Sequence, residues 1–471
     1  MSVVATPSSV PENEEARPAR AIGPARAWAA LVLLSLLYII SFVDRLVLAL
    51  LVEPIKSDLG ISDVQIGLLI GTSFAIVYAV TGLPLARIAD TSSRRMLIFG
   101  GALLWGLSTF AAAFANSFAV LVALRVGVAV GEAALVPAAM SILSDLFPVN
   151  KRALPISIFV MVGVCGGSGS MLIGGAVLDF AATSGALPLV GDLSAWRLTL
   201  MLVGAPAVLF ALLAPFVLPA MPSAGSGGEA SASLGELKRY YAAHPRTYFG
   251  FYTVTAFVSA INFSILTWYP THLIRSYGLA APDAGYLFGT VGVATSLAGG
   301  LLLPWIARRM TAKGRFDSTL TIALAVCCLS SPLLIASLLA PNAELAILIA
   351  ATPFTLQFGL GILLAATAPL LAPPQIRAQL VAIFFLFLSL IGLGIGPTLV
   401  AWLAENVRWL GASVPAALAL IILIFAPIQI FAILRNRSAF ADSYKNAHDG
   451  ARADDAALSP LESCRSGSER H

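Results

Sequence analysis

Apolar runs of about twenty residues recur along the chain, separated by short stretches rich in Gly, Pro and charge. A helix rises ~1.5 Å per residue, so about 20 apolar residues cross the hydrocarbon of a bilayer. Windows of that length predict twelve spans. They fall at 28–50, 64–86, 95–115, 118–140, 153–178 and 197–219, then at 247–269, 284–306, 318–339, 344–370, 377–402 and 412–434. The expected fold is all-α, with two six-helix bundles of nearly equal length. Residues 27–220 form the first bundle in this reading and 247–435 the second. Disordered cytoplasmic tails are expected at 1–26 and 436–471, and a linker at 221–246. The linker opens with small flexible residues and turns amphipathic from Ser233, where Ser233 and Glu236 fit a capping box. Lys238 and Arg239 beside Leu234, Leu237, Tyr240 and Tyr241 suit a helix on the membrane surface, with a plain tether as the alternative.

Composition supports the pattern. Of 471 residues, 58% are hydrophobic and 11% charged, against about 25% charged in soluble domains, which makes a polytopic membrane protein. The net charge of +4 is small, but its placement is informative. With the amino terminus in the cytoplasm, only Lys56, Arg197, Arg275 and Arg408 fall outside, so both termini belong inside. The first apolar run is too long and too charged for a cleaved signal and is expected to stay as a helix. Cys165, Cys327, Cys328 and Cys464 make no CxxC and have no paired His, so neither a disulfide nor a metal is expected. His244, His272, His448 and His471 are read as loop or tail residues.

Charges inside the spans carry the chemistry. Span four holds Arg125 and Glu132, seven positions apart and so on one helix face, and span one holds Asp44 and Arg45. A charge at mid-membrane costs roughly 2.5–3.5 kcal/mol on insertion scales, so these four must face protein or water. A buried carboxylate gains proton affinity when alone and loses it beside Arg, so a rearrangement at Arg45 or Arg125 loads and unloads a proton on Glu132. A permanent ion pair is the competing reading. Asp44, about 100° around the helix from Arg45, is a second titrating site or scaffold.

Arg45 and Arg125 are the candidate anion binders, because guanidinium grips phosphate or carboxylate with two parallel hydrogen bonds. Their depths along spans one and four match, so one ligand can reach both. The second half has no charge well inside its spans. Its polar groups include Asn262, Tyr269, Tyr286 and Gln357, and Phe384, Phe385 and Phe387 crowd span eleven. A cavity charged on one wall and apolar on the other suits an anionic head with a hydrocarbon tail. Asn262, Tyr269, Gln357, Phe384 and Phe387 join the two arginines as candidate substrate contacts, although packing is the simpler role for any single phenylalanine.

The segment Ala86-Arg-Ile-Ala-Asp90-Thr-Ser-Ser-Arg94-Arg95 resembles the loop motif of the major facilitator superfamily between spans two and three. Ala86, Thr91 and Ser93 depart from its usual residues. Arg125 to Gly131 resembles the superfamily's span-four motif. Within it, Ser41-Phe-Val-Asp44-Arg45, Glu53-Pro-Ile-Lys56, Gly131-Glu132-Ala133 and Thr267-Trp-Tyr-Pro-Thr-His-Leu resemble the Spinster-like group. The resemblance implies a proton- or cation-coupled carrier of amphiphiles such as lysophospholipids or phosphorylated sphingoid bases. Asp90, Arg94 and Arg95 are read as a cytoplasmic gate, or as topology-setting charge.

The leading function is exchange of protons for an anionic amphiphile in a bacterial inner membrane. Export of small drugs or organic anions, and passive lipid facilitation, are the alternatives. No cofactor, nucleic-acid partner or enzyme activity is expected: the chain has no nucleotide loop, metal cluster or nucleophile–base pair. A monomer is expected.

Overall fold

The computed structural model describes residues 23–91, 93–148, 151–184, 193–220, 234–371, 374–407, 411 and 413–468. Side chains are described at all of these except 83, 86, 87, 89–91, 164, 234, 374, 375, 378 and 447–468. Twelve helices are long and apolar enough to cross a membrane. Spans one to six are Pro24–Val47, Asp63–Gly82, Arg94–Ala112, Phe118–Leu146, Ala153–Thr183 and Ala195–Val217. Spans seven to twelve are Pro245–Tyr277, Ala281–Ala312, Ser318–Leu338, Ala343–Leu371, Gln379–Asn406 and Val414–Asn446. We call the membrane face at which span one begins and span twelve ends the near face, and the opposite one the far face.

Local sequence explains the corners. Past Val47 the chain makes a tight turn and a short helix, Val52–Leu59, which stops at Gly60 with φ 62°, a conformation that suits glycine. Ser62 then caps span two, its hydroxyl accepting from the Gln65 amide while the Gln65 side chain accepts from the Ser62 amide. This corner lines up Glu53, Lys56 and Asp63 at the far face.

Spans two, four and eleven are irregular in mid-course, and each irregularity lies beside a polar contact. Span four breaks at Ala134, two residues after Glu132, and resumes as Leu135–Leu146. Pro137 brings no amide to the ladder there, which favours a helix start over a helix interior. Spans two and eleven each contain a π-turn, Leu68–Thr72 and Leu388–Ile395. The two π-turns touch across the interface between the halves. Spans five and eight form the other large contact between them.

Two boundaries differ from the sequence reading. Span seven does not stop at 269 but runs to Tyr277, carrying Pro270 inside the helix. His272 is therefore not a loop residue: it is buried in span seven, its Nδ1 2.8 Å from Ser276 Oγ. Proline followed by His and Arg ended the apolar window, although Leu273 behind them is fully packed. The last helix likewise continues past 435, running Val414–Ser468, where a disordered tail is expected from 436. Asn436 and Phe440 are buried against span seven, and Thr247 Oγ1 lies 2.8 Å from Ser443 Oγ. Arg437 pairs with Asp317 at the turn before span nine. Burial works against that carboxylate's charge, yet hydrogen bonds from Arg437 and Thr321 hold it below the usual range.

The linker contains a helix, Leu234–Ala243, while Ser233 of the expected capping box lies outside the described residues. Leu237 is buried, Tyr240 donates to the Leu371 carbonyl at 3.4 Å, and the Tyr241 and Tyr252 hydroxyls sit 2.7 Å apart. Burial pushes the Tyr241 hydroxyl up to about 12, against the pull of its bond to Tyr252. The helix is thus docked on the second half, with Lys238 and Arg239 exposed.

Candidate functional site

The four intramembrane charges of the first half meet as two pairs in one layer. Arg45 Nη2 donates to Glu132 Oε2 at 2.5 Å, and Ser41 Oγ donates to the same oxygen at 3.0 Å. Glu132 Oε1 is buried without a hydrogen-bond partner. Arg125 Nη1 lies 3.5 Å from Asp44 Oδ1, and Arg125 Nη2 donates to the Arg45 carbonyl at 3.2 Å. Thr109 of span three completes the second pair, donating to Asp44 Oδ2 at 2.7 Å. The Phe74 ring joins the pairs: its centroid is 4.7 Å from the Arg45 guanidinium carbon and 5.1 Å from that of Arg125. Aromatic faces near guanidinium supply part of the stabilisation that lost hydration removes.

The site owes its geometry to close packing of spans three and four. A Cβ on Gly131 would lie 2.3 Å from the Gly101 carbonyl oxygen, so only glycine lets the helices approach this far. Glu132, the next residue, is thereby set against span one.

The two arginines are not equivalent. Arg45 keeps 16% of its side chain accessible, whereas Arg125 keeps 5% and is tied to backbone and acid on span one. The sequence brings both to one depth, and the structure leaves Arg45 the more reachable.

A cavity of about 200 Å³ lies beside the first half, walled by spans five, seven, eight, ten and eleven. Asn262 and Phe384 line it, together with Phe263, Phe358 and Leu388. Three hydroxyls on its wall are already used: those of Thr255, Ser259 and Ser296 each donate to a carbonyl of their own helix. Gln357 stands behind Asn262, its carbonyl accepting from Asn262 Nδ2 at 3.2 Å and its side chain donating to Ser330. Phe387 stacks on Tyr252, 5.2 Å between centroids. Tyr269 sits apart, fully buried among His272, Phe288 and Phe354, with its hydroxyl on the Ala346 carbonyl. Tyr286 reaches Asp179 at 3.4 Å near the far ends of spans eight and five.

At the near face, Arg94 pairs with Asp145 at the end of span four. Arg95 donates to the Pro215 carbonyl of span six at 3.1 Å. The Asp90 side chain lies outside the described residues.

Sequence reasoning missed the cluster that joins the halves at the far face. Arg275 of span seven grips Asp63 of span two and also reaches Glu53, while Lys56 lies 2.6 Å from Asp63. The Glu405 carboxylate accepts from the Asp63 and Val64 amides, capping span two from across the interface. Deeper in, Thr72 and Thr398 join the two π-turn regions. Charge at span ends is too common to have flagged this set. Ser41 was traceable, being four residues before Arg45 and so on the same face. Thr109 left no signal. Among the described residues, no group of three or more His, Cys, Asp or Glu is placed to hold a metal.

Residues 34–392 match the Major Facilitator Superfamily. The chain belongs to that family. It is 30% identical over 392 residues to an "MFS-type efflux pump" of Mycolicibacterium smegmatis, covering 82% of this chain and 86% of that one. It is 28% identical over 321 residues to "Protein spinster homolog 3" of Danio rerio, covering 64% of this chain and 62% of that one. Among solved structures, it is similar to a bacterial homologue of the human lysosomal transporter Spinster in an inward-facing, unoccupied conformation. That match has TM-score 0.75 and 24% identity, and covers 91% of this chain and 99% of that one. The protein is thus a multi-pass membrane transporter with a Spinster-like fold, as its motifs lead one to expect.

Proposed function

We propose that the protein is a proton-coupled secondary transporter that carries an anionic amphiphile by alternating access. The observation that carries this reading is the state of Glu132: one oxygen holds Arg45, and the other has no partner. Glu132 and a substrate anion compete for the same guanidinium. A proton on Glu132 weakens its hold and frees Arg45 for the anion; loss of the proton returns Arg45 to Glu132 and expels the anion. Empty and deprotonated, or loaded and protonated, the pair with its ligand is neutral. Either mixed state adds one net charge in low dielectric, which opposes reorientation. Proton and anion therefore move in the same direction, so this geometry favours cotransport over exchange. Asp44 and Arg125 act as the fixed pair that orients span one.

The apolar, aromatic cavity of the second half suits the hydrocarbon part of the substrate. With positive charge concentrated at the near face, that face is read as cytoplasmic, in a bacterial inner membrane. Contacts at the far face then make this an inward-facing state, and the protein is taken to act as a monomer. Asp90, Arg94 and Arg95 are candidates for the cytoplasmic gate in the opposite state.

Similarity to the efflux pump favours a second reading, proton-coupled export of small drugs or organic anions. Proteoliposomes separate these. Lysophospholipid-driven proton movement, lost in Glu132→Gln, supports the first. Flux of water-soluble organic ions that lysophospholipids do not compete with supports the second. Lipid flux indifferent to an imposed pH gradient contradicts both and leaves passive facilitation.

A further inference from the structure

Spans two and eleven face each other across the boundary between the halves, and each has its π-turn where they meet. A π-turn carries one residue more than an α-turn and weakens the local ladder, so it persists where something else holds it. Here each half donates a hydroxyl to a backbone carbonyl at the other's π-turn. Thr72 Oγ1, in the π-turn of span two, donates to the Gly394 carbonyl in that of span eleven at 2.7 Å. Thr398 Oγ1 donates to the Gly67 carbonyl at the head of the span-two π-turn at 2.9 Å. The two hydroxyl oxygens are themselves 2.8 Å apart. Contact this close depends on Gly71, where a Cβ would lie 2.7 Å from the Leu393 carbonyl oxygen. Leu388, which begins the second π-turn, lines the central cavity with Phe384.

We propose that the paired π-turns are a conformational switch, held while the halves meet at the far face and converting to α-helix when they part. Separation removes the hydroxyl donors from both π-turns at once. Conversion to α shifts the helix register by about one residue, which is ~100° of rotation and ~1.5 Å of rise. The near-face part of span eleven then turns, and the cavity wall at Phe384 and Leu388 changes with it. Opening of one face is thus tied to the shape of the binding cavity. This deepens the alternating-access reading above and depends on neither its substrate nor its proton coupling.

The test uses the full chain in detergent or nanodiscs, with Cys165, Cys327, Cys328 and Cys464 replaced by Ser. Spin labels at Gln65→Cys and Trp402→Cys read the far-face distance. In a parallel set, labelling of Phe384→Cys and Phe385→Cys, one buried and one exposed, reads the rotation of span eleven. Thr72→Val with Thr398→Val is expected to raise the far-open to far-closed ratio about tenfold, the scale of one to two buried hydrogen bonds. It should also reverse which of the two cysteines labels faster. Thr72→Ser with Thr398→Ser, which keeps both hydroxyls, should resemble the parent. Deleting Ile391, which removes the surplus residue of the π-turn, should reproduce both changes and serves if the valine pair fails to fold. An unchanged far-face distance in the valine pair and the deletion overturns the proposal. So does far-face opening with an unaltered labelling order. Neither readout involves flux, so a failure of the proposed transport activity leaves this result separately legible.

Discussion

Arg275 holds Asp63 by two parallel hydrogen bonds, Nη1 to Oδ2 at 2.8 Å and Nη2 to Oδ1 at 2.7 Å, across the boundary between the halves. The fork geometry of guanidinium makes such pairs stronger and more directional than a lysine contact. Asp63 keeps 9% of its side chain accessible, while Glu53, which Arg275 also reaches, keeps 41%. Asp63→Asn should therefore favour the far-open state by about 1–3 kcal/mol. Glu53→Gln should change it by less than about 1 kcal/mol, as for exposed ion pairs. Distance measurements between spin labels on the far ends of spans two and seven check the order. Equal effects would show that the fork at Asp63 is not the clamp.

Gly131 makes a sharper structural prediction. A methyl group there meets the Gly101 carbonyl, part of the backbone, which cannot swing aside. Gly131→Ala should separate spans three and four, loosen Glu132 from Arg45, and lower stability by about 1–3 kcal/mol. Substrate-driven proton movement should fall with it. Thermal unfolding in detergent and flux in proteoliposomes measure the two effects.

The Asp317–Arg437 contact should show in the pH dependence of stability. The carboxyl's affinity for protons is lowered in the folded chain, so its contribution is fully present above the unfolded carboxylate range. It is lost as pH falls through the lower, folded value. The melting-temperature gap between wild type and Asp317→Asn should accordingly stay flat from neutral pH to about pH 5 and close in more acid solution. A gap that widens on acidification contradicts the assignment.

Apolar run length alone gives the twelve spans, because a bilayer imposes one length on every crossing. The four charges of spans one and four are legible in the sequence for a related reason: in hydrocarbon a charge must have a partner. Which acid meets which arginine is not, since pairing depends on the approach of spans three and four at Gly101 and Gly131. The end of span seven is hidden by Pro270 and His272, which look like a boundary yet pack inside the helix. Tyr269 looks like a cavity residue, but an aromatic hydroxyl in an apolar span is as easily satisfied by a neighbouring carbonyl. The π-turns have no hydropathy signature, and Thr72 and Thr398 acquire meaning once their helices touch.

The central claim is that a proton on Glu132 and an anion on Arg45 bind together. Proton uptake on ligand binding tests it most directly, read with a pH indicator while the purified protein in detergent is titrated with a lysophospholipid. The account expects wild type to take up about one proton per anion bound, and Glu132→Gln to bind the same anion with none. Binding to wild type without proton uptake, or equal uptake by the glutamine variant, would contradict it.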